Sequence, residues 1–372
     1  MPSGLFSWRA KSFVGLDIGT SRIKMVELAA RPDGVELVRA AMESIPAGAI
    51  VEGKILDPVS MADAIRRAMA AGKFRSREVV AAVAGQGVVV RHARFPRMPE
   101  EELKDAMKWE AQKYIPYPVE EAMLDFTVLP ASSSDQQGME VMLVAAPAEL
   151  VNSHLEAMEL AGLTVVAVDV QPFTMLRALR QLSPSGTADA EDGSVAYVDV
   201  GAGTTDIVIA NGEVVRFTRI VPIGGATFTK AIADRLGVGF DVAERLKIER
   251  GQVHRRGEDV HGSEERALAE AIGEVAEAAV LDIRRSIDYH DLQLSGGAEG
   301  VEVKRVILSG GGAVLRGFAE YIGEELGLPT EMFEPLSNIT VNPRVASKLE
   351  DVGAVGPMLV VGIGLALREV VD

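Results

Sequence analysis

One pattern occurs twice in this chain, and it constrains the fold more than any other feature. Residues 13–28 read FVGLDIGTSRIKMVEL and residues 195–209 read VAYVDVGAGTTDIVI. Each has an apolar, β-branched run, then Asp-x-Gly with Thr or Ser, then a second apolar run. That order is the signature of strand, tight turn, strand. The two aspartates, Asp17 and Asp199, lie 182 residues apart in a chain of 372, about half its length. Such a length suggests two to three domains at about 150 residues each, and the repeat resolves that into two related α/β halves. Polar stretches rich in Ser, Gly and Asp at 131–138, 183–194, 251–263 and 292–300 read as exposed loops. The one at 183–194 precedes the second repeat and marks the boundary between the halves.

Periodicity fills in the rest. Strands are expected over 35–44, 78–90, 139–145, 165–170 and 303–309. Helices are expected over 58–71 (with Val59, Ala62, Ile65 and Met69 inward), 101–114, 148–161, 172–182, 226–236, 242–249, 317–326 and 357–370. Residues 264–289 predict a long helix that buries Leu268, Ile272, Val275, Ala279, Ile283 and Ile287, with Ser263 as its cap. Trp109 and Tyr114 read as core residues of the 101–114 helix, with an interface as the alternative. Strands alternating with helices specify an α/β protein.

The repeated turns carry the chemistry. In Asp17-Ile-Gly-Thr-Ser21 a strand delivers a carboxylate to a turn whose glycine lets an anion approach the backbone. The amides and hydroxyls that follow can donate to phosphate oxygens. A carboxylate there suits a Mg²⁺ held through water. Arg22 and Lys24 alternate on the return strand, which puts one of them within reach of a phosphate. Asp199-Val-Gly-Ala-Gly-Thr-Thr-Asp206 offers the same chemistry again, so two such turns facing each other would clamp a phosphate chain. A third element, Ser309-Gly-Gly-Gly312, sits between a strand and a helix and leaves a flat backbone surface for a purine or an α-phosphate.

Composition narrows the remaining options. With 38 Lys and Arg against 54 Asp and Glu, the net charge is −16, which argues against bulk attraction to nucleic acid or anionic lipid, although a local basic patch is still able to bind either. The absence of cysteine removes disulfides, thiol catalysis and Cys-ligated metal sites. The five histidines form no metal-binding spacing. No apolar run approaches the roughly 18 residues of a spanning helix. The N-terminus lacks a signal-peptide pattern but sets Leu5, Phe6 and Trp8 beside Arg9 and Lys11, either a loose terminus or a tail that touches a membrane or partner.

The three Gly-rich elements, in this order, resemble the phosphate 1, phosphate 2 and adenosine motifs of the actin/Hsp70/sugar-kinase superfamily. Within it, the stretches 98–118 (MPEEELKDAMKWEAQKYIPYP), 168–173 (VDVQPF) and 362–366 (GIGLA) resemble the PilM family of type IV pilus assembly proteins, in the FtsA-like branch. The resemblance runs from about residue 11 to about residue 370. It implies an actin-like fold of two RNase H-like lobes with inserted subdomains. Subdomain 1A would take 11–85 and 163–192, 1C 86–162, 2A 193–224 and 303–372, and 2B 225–302. ATP and Mg²⁺ would lie between the lobes, with Asp17 and Asp199 near the metal. Gly19, Thr20, Ser21 and Lys24 would contact the phosphates from one side and Gly201, Gly203, Thr204 and Thr205 from the other. Gly310, Gly311 and Gly312 would line the adenosine. Glu244 and Lys247 would flank the ribose and base, or else form an ordinary exposed helix pair. Gln171 would orient a water.

The implied function is a cytoplasmic, ATP-binding scaffold that docks the N-terminal cytoplasmic peptide of the inner-membrane protein PilN in a groove between 1A and 1C. Other pilus components and self-association are further partners it admits. Because the chain stops at Asp372, with no amphipathic C-terminal helix of the FtsA kind, membrane association is expected to be indirect, and a peptide-binding chaperone domain is not expected. Two alternatives remain: a small-molecule kinase, for which Asp206 would be the base, and a polymerising filament protein.

Overall fold

The computed structural model describes residues 13–32, 34–46, 48–129, 138–182, 193–255, 257–294, 302–347 and 352–371. The N-terminal stretch and most of the polar stretches at 131–138, 183–194 and 292–300 lie outside these. The chain opens with an antiparallel meander of β1 (Val14–Ile18), β2 (Arg22–Arg31) and β3 (Gly34–Ser44). A short ladder, β4 (Ile50–Val51) and β5 (Lys54–Ile55), leads into α1 (Pro58–Gly72), and β6 (Glu78–Val83) returns parallel to β1. The chain then leaves this sheet for β7 (Val89–Pro96), α2 (Glu100–Ala111), β8 (Ala122–Val128), β9 (Gly138–Pro147) and α3 (Ala148–Leu160). Strands β7, β9 and β8 make a separate three-stranded antiparallel sheet with β9 in the centre. β10 (Thr164–Val170) rejoins the first sheet parallel to β6, and α4 (Gln171–Leu182) follows.

The second half repeats this plan. β11 (Ser194–Val200), β12 (Thr205–Asn211) and β13 (Val214–Val221) form the meander. Three helices follow, α5 (Gly225–Leu236), α6 (Phe240–Arg250) and α7 (Ser263–Leu294). Then β14 (Val303–Ser309) runs parallel to β11, and α8 (Phe318–Leu326) leads to β15 (Thr330–Met332), parallel to β14. The spatial orders β3-β2-β1-β6-β10 and β13-β12-β11-β14-β15 are the same, strand for strand and sense for sense. The sequence repeat is thus a structural repeat of two lobes.

The C-terminal segment crosses back. β16 (Thr340–Val341) adds to β3, and after α9 (Pro343–Ala346) and α10 (Val352–Val355), α11 (Val360–Val371) packs on α4, β1 and β2. The assignment of all of 303–372 to the second lobe therefore fails beyond β15. The physical reason is the small-residue face of α11. A Cβ at Gly364 would lie 1.9 Å from the Thr174 carbonyl oxygen, so the helix approaches α4 at backbone distance.

Most expected elements form, and the departures have local causes. The single strand expected over 78–90 is two strands in different sheets, because Gly85, at φ 143°, turns the chain between them. α1 is capped by Asp57, which accepts from the Ser60 amide, and its inward face begins at Met61; Val59, in the first turn, is 62% exposed. α7 buries all six expected residues, but it starts at Ser263 itself and runs to Leu294. The segment 356–370 begins as a 3₁₀ turn before α11. Trp109 is not core: it projects from α2 at 84% exposure, while Leu103, Met107 and Ala111 fill the inward stripe. Tyr114 is half-buried.

Candidate functional site between the lobes

The repeat places Asp17 and Asp199 at equivalent points, near the C-terminal ends of β1 and β11. Each strand end runs into the same turn: the Gly19 amide donates to the Arg22 carbonyl (3.1 Å) and the Gly201 amide to the Thr204 carbonyl (2.8 Å). The two turns meet. A Cβ at Gly203 would lie 3.0 Å from Thr20 Oγ1, so the Thr20 side chain faces the backbone of the opposite turn at close range.

Cross-strand pairing decides the charges. Asp17 pairs with Lys24, whose Nζ sits 2.7 Å from Asp17 Oδ2. In the second lobe the same register pairs Asp199 with Asp206, so Lys24 and Asp206 occupy matching places. Asp199 accepts from Ser309 Oγ (2.7 Å) and from Gln171 Nε2 (3.2 Å), which ties both lobes to one carboxylate. Burial alone would push the Lys24 ammonium down, but Asp17 and Asp199 outweigh it and hold Lys24 above its ordinary value. Burial raises Asp199, with Lys24, Ser309 and Gln171 opposing. Asp206, buried and beside Asp199, is pushed up to about 8; one oxygen accepts from Thr204 Oγ1 (3.3 Å) and the other has no partner.

That carboxyl makes a testable pH signature. The folded chain keeps the Asp206 proton up to about pH 8, while the unfolded chain loses it near pH 4. Between these limits the folded state binds more protons, so this group's contribution to stability falls as pH rises. Asp206→Asn is expected to raise the melting temperature at pH 8, by roughly 2–5 kcal/mol in stability, and to do little at pH 4.5. Parallel melting curves for the two proteins across that range would contradict the assignment.

The third Gly-rich element closes on the second turn. Gly310, at φ 89°, has no room for a side chain against the Val200 carbonyl, and the Gly312 amide donates to that same oxygen (2.7 Å). Gly311 faces Met358. α5 starts on the second turn: the amides of Gly225 and Ala226 donate to the carbonyls of Gly201 and Ala202 (2.9 and 2.8 Å). Lys247 Nζ holds that start, donating to the Gly225 carbonyl and Thr229 Oγ1 (2.8 Å each) and pairing with Glu244 (2.7 Å). Lys247 thus reaches the site and Glu244 joins it through Lys247 and Thr229. Thr205 is held by the Ile223 carbonyl (2.7 Å), and Ser21 is exposed at the tip of the first turn. Sequence reasoning missed Ser309 as the support of Asp199. Its position before the triple glycine was visible, but its role depends on the β11–β14 register that sets it opposite Asp199.

A cavity of about 670 Å³ adjoins the cluster, between the three-stranded sheet and both lobes. Gln171 and Asp206 form one wall, and Val89, Arg91, Tyr114 and Ile115 another. Among the described residues, no group of three or more acids or histidines forms a ready-made metal cage.

The profile of the family described as "Type IV pilus assembly protein PilM" matches residues 15–370. The chain belongs to the PilM family. A solved structure titled "PilM-PilN type IV pilus biogenesis complex" superposes with a TM-score of 0.83 at 31% identity, covering 98% of this chain and 100% of that one. Cell division protein FtsA of Neisseria meningitidis is 24% identical over 375 residues, covering 90% of this chain and 87% of that protein. FtsA of Bacillus subtilis is 24% identical over 269 residues, covering 65% of this chain and 58% of that protein. The fold is actin-like, of the FtsA branch, and the two lobes with matching strand order are its two RNase H-like halves.

Proposed function

We propose that this chain is an actin-like, ATP-binding scaffold of type IV pilus assembly that docks the N-terminal cytoplasmic peptide of PilN. The observation that carries the nucleotide half is the meeting of two Gly-rich turns, Gly19–Ser21 and Gly201–Thr205, beside Asp17, Lys24 and Asp199. The likeness to the PilM–PilN complex supports the partner half. In this reading Gly310, Gly311 and Gly312 line the adenosine, Glu244 and Lys247 flank the ribose, and Gln171 orients a water. Two carboxylates without a third suit Mg²⁺, which keeps several waters and shares the phosphate oxygens with few protein ligands. Mg²⁺ would supply charge neutralisation of the phosphates, and Lys24 is placed to exchange Asp17 for a phosphate oxygen. Turnover is expected to be slow, because the sequence offers no convincing general base beside the phosphate turns.

Residues 86–162 then form subdomain 1C, beside 1A, and residues 225–302 form 2B. The cavity lined by Arg91, Tyr114 and Ile115 is our assignment for the peptide groove. The protein's place is the cytoplasm, peripheral to the inner membrane. Fluorescence anisotropy with a labelled PilN N-terminal peptide tests the partner half. The wild-type chain is expected to bind it, and Arg91→Glu with Tyr114→Ala to weaken binding at least tenfold. No binding by the wild type would remove the docking reading, and equal binding by the variant would move the groove elsewhere.

A further inference from the structure

We propose that the free edge of β13, in the second lobe, adds an extended peptide strand inside the cavity beside the cleft. This rests on the docking reading above, and adds that the second lobe holds the peptide by its main chain. β13 is the outer strand of its five-stranded sheet and pairs with β12 alone. An outer strand leaves the amides and carbonyls of alternate residues pointing away from its one neighbour. At β13 that free side looks toward the three-stranded sheet. His92, on β7, donates from Nε2 to the Val215 carbonyl, and Glu140, on β9, stands between Arg94 (3.3 Å) and Arg216 (3.9 Å). These contacts clasp the two sheets at 215–216. Farther along β13 the clasp ends and the cavity of about 670 Å³ opens, with Thr218, Arg219 and Ile220 on one side and Val89, Val90 and Arg91 of β7 on the other. No ladder joins β13 to β7 among the described residues.

The cavity's dimensions fit that occupant. From Thr218 to Pro222 the edge runs about 13 Å, the length of about four extended residues. The spacings within and between sheets give such a strand a slab about 13 Å by 4.8 Å by 10 Å, roughly 600 Å³, and the cavity holds about 670 Å³. A folded partner does not enter a gap one strand wide, and a small ligand leaves the row of edge amides and carbonyls unmatched. The lining suits side chains that alternate: Val83, Val88, Ile115 and Pro172 are apolar, Arg91 and Gln171 polar. Main-chain bonds then supply affinity, and pockets for alternate side chains supply specificity. The ladder registers carry Asp199 to Asp206 and Asp206 to Ile220, straight across β11, β12 and β13. A strand added beyond Ile220 lies on the same rung as the carboxylates between the lobes. It also borders β7, so one peptide bridges the second lobe and the three-stranded sheet.

The test is an N-methyl scan of the labelled PilN N-terminal peptide, read by fluorescence anisotropy with the full chain. A strand added to one edge uses the amides of every second residue. N-methylation at those positions is expected to weaken binding about tenfold or more, the loss of one hydrogen bond, and at the positions between them by less than about twofold. Thr218→Arg/Ile220→Arg, at the cavity wall on β13, is expected to weaken binding of the unmodified peptide about tenfold or more. Amide exchange along β13 is expected to slow when peptide is added. A scan with no two-residue period overturns the proposal and leaves the docking reading standing, as does undiminished binding by the β13 variant. No binding of the unmodified peptide by the wild-type chain overturns both. Exchange on β13 that slows with protein concentration and not with peptide assigns the edge to a second copy of the chain, and overturns the proposal as well.

Discussion

Replacing Gly364 by alanine is expected to cost about 3 kcal/mol or more and lower the melting temperature by roughly 4 °C or more. The new Cβ would stand 1.9 Å from the Thr174 carbonyl oxygen, a backbone atom that no rotamer change can move. The contact is also fixed from the other side: Arg177 Nη1 donates to the Gly364 carbonyl (2.9 Å) and Thr174 Oγ1 to the Gln171 carbonyl (2.8 Å). Relief requires α11 and α4 to separate. α4 begins with Gln171, which holds Asp199, so the disturbance reaches the site as well as the core. Gly273→Ala makes the control. It sits inside α7 with nothing near its Cβ position, and is expected to gain up to about 1 kcal/mol of helix stability. Thermal unfolding of both variants checks the pair, and equal melting temperatures would contradict the packing described.

Asp17→Ala and Asp199→Ala are each expected to abolish stabilisation by Mg²⁺ and ATP. A ligand at 100 times its Kd stabilises the state it binds by about 2.7 kcal/mol, or roughly 3–4 °C for a chain of this size. The readout is the difference between melting temperatures with and without nucleotide, so any change in basal stability cancels. Loss of Asp17 frees Lys24 from its ion pair; loss of Asp199 leaves Ser309 and Gln171 without their acceptor. The two defects differ in the apo protein and converge on the same lost shift. An unchanged shift in both would remove the assignment of these carboxylates to the nucleotide.

The site was more legible in the sequence than its supports. Local spacing carries the turns: Asp17 to Lys24 and Asp199 to Asp206 share an offset of seven, and that offset becomes the cross-strand register. The α7 stripe is legible for the same reason, since 3.6-residue periodicity names one face over a long helix. What the sequence does not carry is which neighbour covers a stripe. Trp109 and Val59 are apolar and correctly spaced, yet among the described residues no element covers them. Ser309 meets Asp199 only through a parallel pairing across more than a hundred residues, and α11 returns to the first lobe through contacts that no local pattern announces.

Calorimetric titration of the full chain with ATP tests the central claim most directly. With Mg²⁺ the account predicts one site per chain, weakened strongly by EDTA and lost in Asp199→Ala. Binding that persists undiminished in that variant, or no binding by the wild-type chain, would contradict a nucleotide site built between the two repeated turns.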